Sequence, residues 1–296
     1  MKSAAAPRRK ADRTGCGPPS AGLTRAIRHN RPCPKLETWR VDIHNDDVTS
    51  MLVVVHVLHR LCGLSLADAG ELAAHAHQHG AAAVREFADQ ATAEALAVAL
   101  QRHGLRTTIR KARNRVERHR EEPEPVLTVD DEDFFEAVST SDGVAVQMSA
   151  NVAETLAHHA EQLIHLLGSG VAEPARAGVL RRAAPADLLG RMFPDTYRER
   201  AESAAFRQRH RAALQDTAAA RRVHARCVGG TEHVLPRGDV TDWLTTFGLA
   251  KLISLPREYA RFKPADPGLA GAWLTHVQEK LILAAEPGYT TPRPLG

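Results

Sequence analysis

The chain has 296 residues, 43% of them hydrophobic and 25% charged, with a formal net charge of +4. That length and apolar content suffice for buried cores in two domains and exclude an extended low-complexity polymer. No apolar run approaches the length of a membrane span, and Cys16, Cys33, Cys62 and Cys227 lack the spacing of a zinc site or a disulfide framework.

Charge is segregated along the chain. Residues 1–36 carry nine Lys and Arg, among them Arg8, Arg9 and Lys10, against Asp12 alone, which reads as a flexible basic arm. No apolar segment follows Arg8-Arg9, so the arm fails as a secretory or twin-arginine leader, and a cytoplasmic location is expected. Neither a membrane nor nucleic acid is the expected partner, although a basic arm alone does not choose among anionic surfaces.

Residues 37–44 alternate apolar and polar, with Trp39, Val41 and Ile43 on one side, which predicts a strand. Met51, Val54, Val55, Leu58 and Cys62 recur at helical spacing and Gly63 follows as a left-handed cap. A second helix opens at Ser65, three residues before Asp68, and ends at Gly80. After a short strand over 81–84, Asp89 caps a third helix that passes Leu96 and Leu100 and stops at Gly104; Thr107 to Ile109 suit a closing strand. Residues 37–112 therefore predict an α+β domain, a small antiparallel sheet packed on three helices.

Residues 121–136 hold eight acidic side chains and no basic one, interrupted by Pro123 and Pro125. The stretch 113–142 reads as a charged linker. Beyond it a strand at 144–146 and helices at 150–167, 185–192, 201–226 and 239–254 predict a mainly α-helical domain over 143–285, followed by a loose tail at 286–296.

The first corner of the α+β domain reads Ile43-His44-Asn45-Asp46-Asp47-Val48-Thr49-Ser50-Met51. Its amide and carboxylate oxygens suit a bound cation, but the same residues are ordinary for a turn that caps a helix, and spacing alone leaves both readings open. The loop is expected to be exposed, so that truncating Asp46 would leave little unsatisfied.

Asn45-Asp46-Asp47 with Thr49 and Met51, followed by His77 and Gly80, resembles the ClpS family of protease adaptors over roughly residues 38–110. The resemblance implies an adaptor that binds proteins whose first residue is bulky and hydrophobic, an N-degron, and delivers them to a Clp-family AAA+ unfoldase and its protease. It implies that Asn45, Asp46 and His77 hold the ligand's α-ammonium group, that Met51 gates the pocket, and that Thr49, Val54, Ala73 and Ala76 wall it. An α-amino group is largely cationic at neutral pH, which accounts for clustered acceptors with a carboxylate among them. Ala73 and Ala76 stand where the family places larger residues, so a wide pocket favouring aromatics is expected. Gln90 and Ala95 stand where the family carries a Glu and a Lys that touch the unfoldase N-domain, which weakens that contact.

Glu154-Thr155-Leu156, Phe193-Pro194-Asp195-Thr196-Tyr197-Arg198 and Asp242-Trp243-Leu244 resemble a helical bacterial family often encoded beside ClpS, over about 143–258. The chain departs from that family at Gly248, Leu249 and Lys251. An enzymatic rival rests on histidines, with His75 and His79 one helical turn apart and His158, His159 and His165 on a later helix. No HExxH motif or third ligand accompanies them, and Glu154 and Glu161 lack an acid–base partner. Phosphate-binding glycine loops are absent, and Phe193, Tyr197, Trp243 and Phe247 read as helical core. The expectation is a non-catalytic adaptor without cofactor or metal; the alternative is a peptide-binding scaffold that uses the pocket without proteolysis.

Overall fold

A computed structural model of the protein describes residues 38–46, 48–111, 134–169, 185–254 and 268–289. The basic arm, most of the acidic stretch and the last residues of the tail lie outside them.

Strand β1 (Trp39–His44) is central in an antiparallel sheet ordered β2-β1-β3, with β2 at Ala81–Phe87 and β3 at Thr107–Lys111. Its alternation buries Val41 and Ile43, and a bulge at Val41/Asp42 shifts the register against β2. The bulge sets the Asp42 carboxylate, only 1% exposed, between Arg40 at 2.9 Å and Arg110 at 2.5 Å. A carboxylate so desolvated is held there by its two guanidinium partners.

Helices α1 (Met51–Cys62), α2 (Leu66–His79) and α3 (Gln90–Arg102) end as their sequences dictate. Gly63 and Gly80 close α1 and α2 in the left-handed region, at φ +66° and +78°. The Ser65 hydroxyl accepts from the Asp68 backbone N–H at 3.1 Å, and the Asp89 carboxylate accepts from Thr92 N–H at 2.8 Å.

The second half has its own antiparallel sheet, β4 (Phe135–Thr140), β5 (Gly143–Met148) and β6 (Glu232–Leu235), in that order. Strand β4 falls inside the stretch read as linker, and β6 was not foreseen; both are short edge strands given their place by the apolar β5. Helices α4 (Ala150–Ser169), α5 (Pro185–Met192), α9 (Arg237–Ser254) and α10 (Gly268–Ala285) accompany them. The helix expected over 201–226 is three: α6 (Arg200–Arg209), α7 (Arg211–Leu214) and α8 (Ala218–Gly229). The Asp216 side chain accepts from Ala218 N–H at 2.9 Å and starts α8 afresh. Trp243 and Phe247 pack edge to face at 5.7 Å in α9, whose residues 243–252 are all buried.

From β1 to α10 the described elements pack as one unit. Helix α1 touches α10, with Arg60 paired to Glu286 at 3.5 Å, and α3 touches α7 and α9. The α3–α9 approach is set by glycines. Gly104 sits at φ +84°, and a Cβ there would fall 2.7 Å from the Gly248 carbonyl oxygen. A Cβ on Gly248 would fall 2.8 Å from the His103 carbonyl oxygen. Backbone meets backbone, and only glycine fits on either side.

Candidate functional site

The β1–α1 loop begins where the sheet ends. His44 N–H donates to Arg106 carbonyl and Asn45 N–H to Gly80 carbonyl, each at 3.0 Å, so the loop is anchored to both the end of α2 and the start of β3. The second anchor brings Asn45 to His77, 32 positions away: His77 Nδ1 lies 3.4 Å from Asn45 Oδ1. That separation is long for an N–H···O bond, so each group keeps hydrogen-bonding capacity toward a third. His77 is exposed and Asn45 half-buried. On the same helix His75 and His79 stack with ring centroids 3.9 Å apart, and His79 Nδ1 lies 3.0 Å from its own helix's His75 carbonyl. Among the described residues no group of three His, Cys, Asp or Glu could hold a metal ion.

Asp46 corrects the expectation of an exposed, expendable acceptor. Its Oδ1 accepts from Thr49 N–H at 2.7 Å and Val48 N–H at 3.1 Å, so the carboxylate holds the turn that launches α1. Lys251, wholly buried on α9, is the cation of the second half that acts on it. Burial raises the Asp46 carboxyl above its ordinary range, although Lys251 and the two loop N–H groups pull it down. Burial likewise pushes the Lys251 ammonium down to about 8, with Asp46 opposing the shift. Lys251 Nζ also donates to Gln278 Oε1 at 3.3 Å. Asp46 therefore closes the loop turn before α1 and brings a carboxyl group to the corner.

The other expected pocket residues lie along the packed pair α1 and α2. Met51, Val54 and Thr49 are half-buried, whereas Ala73 and Ala76 are buried against the core. The residues inferred for unfoldase contact part company. Ala95 is exposed, but the Gln90 amide donates to Glu94 Oε1 and to the Tyr197 hydroxyl, both at 2.9 Å.

Glu94 is the centre of a junction that sequence reasoning missed. Only 4% exposed, it accepts from Tyr197 Oη at 2.6 Å and Arg209 Nη2 at 2.5 Å, and its Oε2 lies 2.7 Å from His210 Nε2. Burial would raise its carboxyl, but the hydrogen bonds from Arg209, Tyr197, His210 and Gln90 outweigh it and hold the group at about 2. The neighbouring Thr196 carbonyl accepts from Ile109 N–H at 2.6 Å, and the Gln101 amide donates to Thr196 Oγ1 at 3.0 Å. The signal was the polar half of Phe193-Pro194-Asp195-Thr196-Tyr197, which reads as core from its aromatics alone.

Between the two halves lies a cleft of about 720 Å³ that Asp46 lines at one side. Buried Leu105, Met192, Phe193 and Leu214 give it an apolar floor, and Arg106, Arg191, Arg207 and Arg211 stand along it with Asp195.

Sheet, three helices and anchored corner form a small α+β module packed on a mainly helical half. Residues 34–108 match the family model described as ATP-dependent Clp protease adaptor protein ClpS, which supports a general role as an adaptor in Clp proteolysis. Residues 132–285, more than half of the chain, match the model described as a domain of unknown function, DUF2017, and the chain belongs to that family. No curated protein and no solved structure matches it. No helix among the described residues is long and apolar enough to cross a membrane.

Proposed function

We propose that residues 37–112 bind the free N-terminus of proteins that begin with a bulky hydrophobic residue, and that the chain delivers them to the N-domain of a Clp-family AAA+ unfoldase without catalysing a reaction itself. The observation that carries this reading is the meeting of Asn45 and His77 at 3.4 Å, across 32 positions, beside the charged Asp46. An α-ammonium group brings three donors, and the Asn45 amide and Asp46 carboxylate supply matching acceptors. A first side chain entering between α1 and α2 would meet Met51 and Val54, with Thr49, Ala73 and Ala76 behind them. Burying a Leu or Phe side chain contributes roughly 1.5–3 kcal/mol, and a charge-assisted hydrogen bond about 1.5–3 kcal/mol. After association costs, micromolar affinity follows for ligands that carry both features.

Delivery meets a specific condition, because Gln90 is occupied by Tyr197 and Glu94 while Ala95 remains open to solvent. The unfoldase therefore approaches α3 from the Ala95 side.

The test is fluorescence anisotropy with a labelled peptide beginning in Phe, beside its N-acetylated twin. The free amine is expected to be required, and Asn45→Ala or His77→Ala to weaken binding about tenfold, the loss of one such hydrogen bond. Equal binding of the two peptides would refute the assignment. Asp46→Asn is the fitting substitution at that position, since its amide oxygen still accepts from Thr49 and Val48.

A further inference from the structure

We infer that the cleft between the two halves takes the segment of substrate that follows the N-terminal residue, and that it selects acidic side chains there. This rests on the proposed function, whose ammonium site shares Asp46 with the cleft.

Continuity is the first support. Asp46 belongs to the corner that joins Asn45 and His77, and it also lines the cleft. A peptide whose amine sits at that corner has its following residues within reach of the cleft mouth, since each extended residue spans about 3.3 Å.

Charge is the second. Arg106, Arg191, Arg207 and Arg211 line the cleft against Asp46 and Asp195. Arg207 Nη1 is paired with Asp195 at 2.7 Å, and four arginines stand against two carboxylates. The lining remains net positive. Arg211 is exposed, with its Nε donating to Gln215 at 3.0 Å, and retains its other guanidinium donors for a ligand carboxylate. The apolar floor gives such a segment hydrophobic contact between its acidic side chains, the usual composition of a peptide groove.

The experiment uses the full chain and three Phe-led peptides whose next five residues are Asp/Glu-rich, Gly/Ser-rich or Lys/Arg-rich, each with an N-acetylated twin. Exposed charge pairs are individually weak, so at low salt the acidic peptide is expected to bind about fivefold more tightly than the neutral one, with the basic one weakest. In Arg207→Glu/Arg211→Glu that order should collapse or invert. Equal affinities across the series, or an order that survives the charge reversal, would overturn the inference and leave the ammonium site standing. An acetylated acidic peptide that binds as well as its free twin would overturn the claim that corner and cleft share one ligand. Failure of all three free-amine peptides would overturn both readings.

Discussion

Replacing Gly104 by Ala tests whether backbone contact fixes the junction of the two halves. The added Cβ would stand 2.7 Å from the Gly248 carbonyl oxygen and 3.2 Å from its carbon, and Gly104 itself lies at φ +84°. Gly63, the equivalent cap of α1 at φ +66°, has nothing within 4 Å of its would-be Cβ. Both substitutions carry the left-handed penalty of about 1–2 kcal/mol, but only Gly104→Ala adds overpacking of about 1–3 kcal/mol. The difference between the two variants is therefore the contact itself. In a chain of this size about 2 kcal/mol lowers Tm by roughly 4–8 °C. Urea and thermal unfolding followed by circular dichroism measure it directly, with Gly248→Ala as the reciprocal variant. A Gly104→Ala protein no less stable than Gly63→Ala would refute the claim that the backbones bear on each other.

Lys251 gives the chain a pH signature. Its folded pKa is depressed to about 8 from 10.5, so between those values the unfolded chain binds more protons and stability rises with pH. Urea midpoints taken from pH 7 to 10.5 should show that rise, and Lys251→Met should flatten it. Tyr197→Phe removes the hydroxyl that links Gln90 to Glu94 and is expected to destabilise the chain by about 1.5–3 kcal/mol. In a double-mutant cycle Tyr197→Phe and Gln90→Ala should prove coupled by at least about 0.5 kcal/mol, and strict additivity would count against the junction. Asp46→Ala should lose more stability than Asp46→Asn, by about 1 kcal/mol or more, because only the amide oxygen still accepts from Thr49 and Val48 in the loop turn.

The N-terminal module was legible because its instructions are local. Trp39, Val41 and Ile43 alternate, Ser65 and Asp89 start helices, and Gly63, Gly80 and Gly104 end them, each within a few residues of the feature it sets. In the second half α4, α5 and α9 were legible to within a few residues. Helix α10 escaped notice because it is apolar on most of its surface and opens with Gly268, and β4 because acidic and proline-rich sequence runs up to it. The division of 201–226 turned on Asp216, which reads as an ordinary surface carboxylate until it is seen capping α8. At the candidate site the sequence singled out Asn45 and His77, which the fold brings together across 32 positions. That Gln90 bonds Tyr197 depends on a contact across 107 positions, which no local pattern encodes.

The glycine contact between α3 and α9 has a kinetic corollary. Two backbones in direct register leave no layer of side chains to slide or repack, so the halves have little freedom to hinge about that point. The cleft walls are therefore preformed, and the entropy of ordering them is met during folding instead of on encounter. Association should then look like rigid docking: a single fast phase whose rate falls as salt screens the arginines, with differences among peptides residing mainly in how long each one stays.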